Sequence, residues 1–387
     1  MNILMKIIKW FALFLLLCNI PSYMLAYFGP TLGSITSYLS SLLLIGFYFF
    51  VKDKGKPLFP FVYLGLLYYC IASFNYTFVD VNNDFLKELI RFMVVVLCGA
   101  EVVRNSSYKE LHYFFLFGAL TIILHAFLFP SAQAGSSQEN YGRFSGFYLN
   151  PNFAGSICLI GFAISFSMAN KKLRILGQLV FTLAGILTLS RTFIVIWVLI
   201  NFFAILQNKK NLLLPMLGMV VLIMIFTFSD SLTLNTERFS ALKSLFGSEQ
   251  VDTRTISDDS RTHTWSLYFD KIRDKPILGN GYLKFSTKRY GPPGVHNSFL
   301  LVFGEAGIVP FLIMLGIYGF LLFKSFRNFK SRPELFYISL VISLSLMASH
   351  GYFSNYYLVF LSMFVYLELI KLSKNKIASQ NTEYVEG

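Results

Sequence analysis

The sequence predicts an all-α polytopic membrane protein with about twelve transmembrane helices, both termini inside and one large, partly helical outer loop. Three observations carry this expectation. Hydrophobic residues fill 55% of the 387 positions and charged ones only 14%, whereas a soluble domain is about 25% charged. Apolar runs of near-membrane length recur along the whole chain. The segments between them alternate between rich and poor in Lys and Arg, which is the charge asymmetry that orients membrane helices.

A bilayer core takes about 20 mostly apolar residues to cross. Runs of that kind fall near 7–27, 34–51, 58–74, 86–104, 111–130, 152–169, 173–190, 191–207, 211–228, 298–323, 335–350 and 352–371. The first lies in "MNILMKIIKWFALFLLLCNI", which has the look of a signal peptide. With so many runs behind it, it reads better as an uncleaved first helix. Placing the N-terminus inside puts "KDKGK" (52–56), "EVVRNSSYKE" (101–110), "KKLR" (171–174), "QNKKN" (207–211), "KSFRNFKSRP" (324–333) and "KLSKNKIASQ" (371–380) on the inner side. The outer side receives "NYTFVDVNND" (75–84), "SAQAGSSQENYGR" (131–143) and "SHGYFSN" (349–355), which carry few cations. The organisation is then a membrane part of about nine helices (1–228), a large outer loop (229–297), a second membrane part of about three helices (298–373) and a short polar tail inside (374–387).

The outer loop stands apart. A connection of about 70 residues is far longer than usual and is expected to be functional or to hold its own small fold. It shows weak helical patterning around Thr264–Ile272 and turn signals at "GNGY" and "YGPPG". "GNGY" lacks the third glycine and the strand–turn–helix setting of a dinucleotide fingerprint, so it reads as a turn.

The net charge of +13 does not point to nucleic acid. The basic residues sit largely in short loops, and no soluble basic domain or binding motif is present. Cys18, Cys70, Cys98 and Cys158 all lie in apolar runs, without the spacing of a disulfide framework or a zinc site. No carboxylate-rich cluster suggests magnesium, so neither a metal nor another cofactor is expected.

Polar residues inside or at the rim of membrane segments need a reason. In "LSRTF" (189–193), Arg191 sits between two apolar runs. It fits a hairpin arginine snorkelling to the surface, and equally a fork of donors for phosphate oxygens. In "RFSGFYLNPNFAGS" (143–156), Asn150 followed by Pro151 reads as a helix N-cap with proline at the first helical position. Such an end offers free N–H groups and partial positive charge, with Arg143 nearby. In the outer loop, Arg261 and Trp265 are four apart and share a face if that stretch is helical; a solvated amphipathic helix would look the same. His296 and Asn297 sit where the loop meets an apolar run. A histidine there exchanges protons near neutral pH, or it makes a structural hydrogen bond. Glu305 follows nine residues on, about 13 Å deeper on a helix and on the opposite face, where it would brace another helix.

These stretches, in this order, resemble the O-antigen polymerase and ligase superfamily. The matching residues are Arg143, Gly146 and Asn150 to Asn152; Ser190 and Arg191; Arg261 and Trp265; Pro276, Gly279 and Gly281; His296 and Asn297; Glu305 and Gly307. The resemblance covers roughly residues 140–310. It implies a bacterial inner-membrane glycosyltransferase, inverting and metal-independent, acting at the periplasmic face. The donor it implies is a glycan on undecaprenyl pyrophosphate, and the acceptor is a second lipid-linked glycan or lipid A–core. Arg191, Arg261 and Arg143 would hold the pyrophosphate, and His296 would take the acceptor's proton. Asn150, Asn152, Ser190, Trp265, Asn297 and Glu305 would support them. A polysaccharide chain-length regulator is an implied partner. A polymerase of repeat units is the expected activity and a ligase the alternative. A lipid-linked sugar flippase is the rival from another class, although the repeated halves and broken midplane helices of many transporters are not obvious in this sequence.

Overall fold

A computed structural model describes residues 2–76, 85–131, 142–227, 261–286 and 294–386. Among these residues the regular structure is helical, with no strand. Each predicted apolar run contains a helix or a broken pair. The elements are α1 (Ile3–Leu17), α2 (Ile20–Phe28), α3 (Pro30–Phe50), α4 (Phe59–Phe74), α5 (Phe85–Leu97), α6 (Gly99–Arg104), α7 (Tyr108–Leu128), α8 (Pro151–Ser165), α9 (Lys171–Leu187), α10 (Arg191–Gln207), α11 (Leu213–Thr227), α12 (Arg261–Asp274), α13 (Ser298–Ala306), α14 (Ile308–Arg327), α15 (Pro333–Ala348) and α16 (Tyr356–Glu386). The weak pattern around Thr264–Ile272 is therefore a real helix, α12.

Among the described residues four helices are long and apolar enough to cross a membrane: α3, α7, α14 and the Tyr356–Asn375 part of α16. A fifth span results if α1 and α2, bent by 60°, form one. The other apolar runs give shorter helices because caps and breaks cut into them. Helix α8, with 15 residues, reaches about 23 Å, against a hydrocarbon core of about 30 Å. The run at 298–323 is broken at Gly307, and the run at 86–104 is divided into α5 and α6. Large apolar side chains remain exposed along the helices, among them Phe49, Phe50, Val195, Leu206, Met216 and Ile223. That surface would drive association in water and suits lipid.

The chain divides into two compact units. The first comprises residues 1–43 and 106–263. Within it α7, α8 and α9 pack on one another. Helix α7 starts in a full capping box, with Ser107 bonded to the Glu110 amide and the Glu110 carboxylate reaching back to Ser107. Helix α8 is nearly all buried, and small residues let large rings approach it and its neighbours: Gly161 faces Phe181, and Gly185 faces Phe193.

The second unit comprises residues 44–105 and 264–387. Helix α16 packs on α5, α6, α14 and α15, and α4 packs on α13 and α14. The "PILGNGY" segment (276–282) closes over the end of α13. Asn280 N donates to Gly304 O at 2.7 Å, Gly281 N to Glu305 O at 3.0 Å, and Ile308 N to Pro276 O at 2.9 Å. The first two bonds satisfy carbonyls that the end of α13 leaves open, and the third an amide at the start of α14. The turn expected at "GNGY" is present, with φ of 66° at Gly279 and 100° at Gly281. The turn expected at "YGPPG" lies mostly outside the described residues.

The junction leaves no room for side chains at Gly307. Its backbone has φ 78° and ψ −168°, a region reserved almost wholly for glycine, and a Cβ there would run into the Ile277 carbonyl. Gly307→Ala should therefore destabilise this unit by roughly 1–3 kcal/mol from the backbone alone. A thermal melt of the detergent-solubilised protein checks this: the midpoint should drop by several degrees, while Gly316→Ala, with open space around it, should leave it nearly unchanged.

Candidate functional site

Three of the segments singled out above share one local construction. A residue with left-handed backbone precedes an extended Asn or Ser, whose side chain caps a helix. Leu149 (φ 63°) precedes Asn150 and α8, Leu189 (φ 47°) precedes Ser190 and α10, and His296 (φ 47°) precedes Asn297 and α13. Asn150 Oδ1 accepts from the amides of Asn152 (2.9 Å) and Phe153 (3.2 Å). Ser190 Oγ accepts from Phe193 N at 3.4 Å. Asn297 Oδ1 accepts from Phe299 N (3.0 Å) and Leu300 N (3.2 Å). Only five non-glycine residues among those described have positive φ, and three of them stand at these caps. Bulky residues enter that region at a cost, and such strain gathers at functional positions.

In the first unit, Arg143, Asn150, Asn152 and Ser190 come together. Asn152 Oδ1 accepts from Arg143 Nη2 at 3.0 Å and from Ser190 Oγ at 3.1 Å. Arg143 Nε donates to Thr188 O at 3.2 Å, and Phe144 N donates to Leu187 O at 3.2 Å. One amide oxygen thus ties the first turn of α8 to the cap of α10. Gly155 permits this proximity: a Cβ there would lie 3.3 Å from the Ser190 Cβ.

Arg143 and Arg191 occupy opposite environments. Arg143 is buried (5% exposed) and commits donors to the protein, which is a bracing position. Arg191 is the first residue of α10 and is exposed. Its charge adds to the partial positive charge of a helix start, an arrangement that attracts an anion. Sequence reading missed the two α7 residues that hold the Arg143 segment. His125 Nδ1 accepts from Ser145 N (3.3 Å) and Gly146 N (3.2 Å), and Thr121 Oγ1 accepts from Phe147 N (3.3 Å). Nothing in the local pattern of α7 signals this, because their partners lie 20 or more residues away.

In the second unit, His296 is exposed at the start of α13. The ring of His350 lies beside it, with centroids 4.7 Å apart in a T-shaped arrangement. His350 belongs to "SHGYFSN", past the end of α15, and was not singled out from sequence. Burial first, and then the neighbouring His296, hold its imidazole below the ordinary 6.5, at about 4. Glu305 is fully buried. Tyr68 Oη on α4 donates to its Oε2 at 2.6 Å, and Phe285 N donates to its Oε1 at 2.9 Å. It braces α4 and the outer-loop segment, and does not face His296. Arg261 and Trp265 both lie on α12. The Arg261 side chain is outside the described residues. Trp265 is half-buried, and its indole N–H has no hydrogen-bond partner among the described residues.

The exposed apolar helices define the class first: a membrane protein. Residues 176–315 then match the family model described as O-antigen ligase. The match supports placing the chain in the O-antigen polymerase and ligase superfamily, in keeping with the resemblance stated above. No curated protein matches the chain. The matched region holds Ser190, Arg191, Arg261, Trp265, His296, Asn297 and Glu305. Arg143, Asn150 and Asn152 lie before it; the bond of Arg143 to Thr188 and that between Asn152 and Ser190 join this segment to it.

Two expected outcomes follow from this geometry. Asn152→Ala leaves a buried guanidinium with one partner fewer, and should destabilise the protein by about 1–3 kcal/mol; Asn152→Asp, which keeps an acceptor oxygen, should lose less in a thermal melt. Between about pH 6.5 and 4 an unfolded chain protonates His350 while the folded protein does not. The unfolded state then binds more protons, so stability falls as pH falls through that window. The thermal midpoint of His350→Phe should fall less over the same range.

Proposed function

We propose that this protein polymerises oligosaccharide repeat units carried on undecaprenyl pyrophosphate, by inverting, metal-independent glycosyl transfer. The observation that supports glycosyl transfer of this kind, shared by polymerase and ligase, is the family match over residues 176–315, which contains both the Ser190–Arg191 helix start and the His296–Asn297 helix start. The chemistry balances simply. The acceptor hydroxyl oxygen bonds to the anomeric carbon of the donor. The bond from that carbon to the pyrophosphate oxygen breaks, and the pyrophosphate leaves with the electron pair. The hydroxyl proton passes to the His296 ring.

Pyrophosphate is already a good leaving group, so positioning and charge stabilisation do most of the work. Arg191 and Arg261 supply that charge as planar forks suited to phosphate oxygens. Arg143 serves them indirectly by bracing Asn152 and the cap of α10. Trp265, four residues from Arg261, supports it on α12. A histidine base contributes about 10²–10⁴-fold. In this reading the chain makes about twelve crossings of the bacterial inner membrane, N-in and C-in, and the reaction takes place at the periplasmic face. A chain-length regulator is the natural partner.

The ligase is the second reading, favoured by the description of the matched family. A gel profile of surface glycolipid from a lipopolysaccharide-making host lacking this gene distinguishes the two. Core bearing a single repeat, with the ladder lost, is the polymerase outcome. Bare core, with a ladder retained on the lipid carrier, is the ligase outcome. An unchanged ladder contradicts both. In the same strain, well-expressed His296→Ala should fail to restore the ladder, with turnover down about 10²–10⁴-fold. Arg191→Lys should restore it only in part, since it keeps the charge and loses the fork.

A further inference from the structure

We propose that His350 is a positioning residue for His296: its ring packs edge-on against the His296 imidazole and fixes the direction from which that imidazole meets an acceptor hydroxyl. The proposal rests on the reading of His296 as the proton acceptor.

The geometry holds both rings at fixed points. His296 has left-handed backbone (φ 47°) and is followed at once by the α13 cap, so its Cα is tied to a rigid helix start. Ser298, in the first turn of that helix, donates its hydroxyl to Ser349 O at 2.6 Å. This pins the residue next to His350 to the residue two beyond His296. The 349–355 segment is itself a compact turn, with Asn355 N donating to Gly351 O at 2.7 Å and Gly351 N to Ser349 Oγ at 3.2 Å. Its next residues, Tyr352 and Phe353, are buried in the aromatic core of the unit. Gly294 completes the seat: a Cβ there would stand 2.8 Å from His350 Cε1 and 2.9 Å from Ser286 O. Only a residue without a side chain admits the ring at that place.

His350 Nδ1 is buried with no hydrogen-bond partner among the described residues, and a buried polar atom left so is destabilising, so the fold bears a cost to hold this ring. A histidine here is also neutral at working pH, so it places no charge against His296 as that ring gains a proton. The other carboxylates on the helices packed around this turn are engaged elsewhere. Glu305 on α13 is held by Tyr68, Glu334 on α15 by Arg332, and Glu368 on α16 by Lys371; α5, whose Phe92 packs on Tyr352 and Phe353, carries Glu88, held by Tyr282, and the cation Arg91. Among the described residues the ionisable group whose charge reaches His350 is His296.

The test uses the full-length protein in detergent with lipid-linked oligosaccharide extracted from the host strain lacking the gene. His350→Ala and His350→Gln should each lower kcat about tenfold or more, with KM for the extracted donor within about twofold, because donor binding is unchanged while the base is misdirected. His350→Phe, which restores a ring edge, should recover most of kcat. His350→Lys should move the acid limb of the kcat/KM profile to lower pH by about half to one unit, since a nearby positive charge disfavours imidazolium. A role as scaffold only would not move the kcat-to-KM split; the shift of the acid limb in His350→Lys reports that the two rings are neighbours in the working protein.

Normal kcat in well-folded His350→Gln overturns the proposal, as does a loss confined to KM, or a loss that phenylalanine fails to restore. Should His350→Ala not fold, the contrast between Gln and Phe decides the matter. His296→Ala separates the two levels. An active His296→Ala removes the base reading itself; an inactive His296→Ala beside a normal His350→Gln removes only the positioning role.

Discussion

The start of a helix is the constraint on which the rest of this structure depends. The first turn of any helix has amide groups with no partner inside the helix, and in surroundings poor in water each must be satisfied by the protein. Three helices solve this in one way, with Asn150, Ser190 and Asn297 folding an oxygen over the first amides. The left-handed residue before each cap turns the incoming chain sharply. That places Arg191 immediately after one cap and His296 immediately before another. The residues proposed to do the chemistry are therefore attached to rigid helix starts, where a small displacement of the chain is hard to make.

The buried polar residues extend the same logic to longer range. Asn152 serves Arg143 and Ser190 with one oxygen, so the ends of α8 and α10 cannot shift independently. Glu305 accepts from Tyr68 and Phe285, which ties α13 to α4 and to the end of the outer loop. Gly279 and Gly307 let the loop backbone lie directly on the end of α13. The Pro-x-x-Gly-x-Gly stretch thus acts as a cap on the helix that follows His296, and its glycines answer to backbone proximity. A buried polar network of this kind is stabilising only when its members are satisfied together, and these are.

Arg143 and Arg191 show how far residue type underdetermines role. Both are arginines beside a capped helix start. One is enclosed and bonded to Thr188 and Asn152; the other is exposed on the first turn of α10. A guanidinium with its donors committed to carbonyls orients the protein, while one facing outward is available to an anion. The structure gives two residues that look alike in sequence opposite surroundings.

What the sequence by itself determined was local or compositional. The apolar runs, the cap at Asn150–Pro151, the turn at "GNGY", the α12 helix and the short motifs that resemble the superfamily all depend on neighbours a few residues away, or on counts of residue type. Their physics is that of a helix turn or a bilayer thickness, and both are periodic in the chain. What only the tertiary structure decided was pairing at a distance. His125 holds the Arg143 segment from 20 residues away, Thr188 and Ser190 receive it from about 40, and His350 meets His296 from another loop. No local rule anticipates those contacts, because they arise from which helices pack together, and that is set by the shape of buried surfaces contributed from distant parts of the chain.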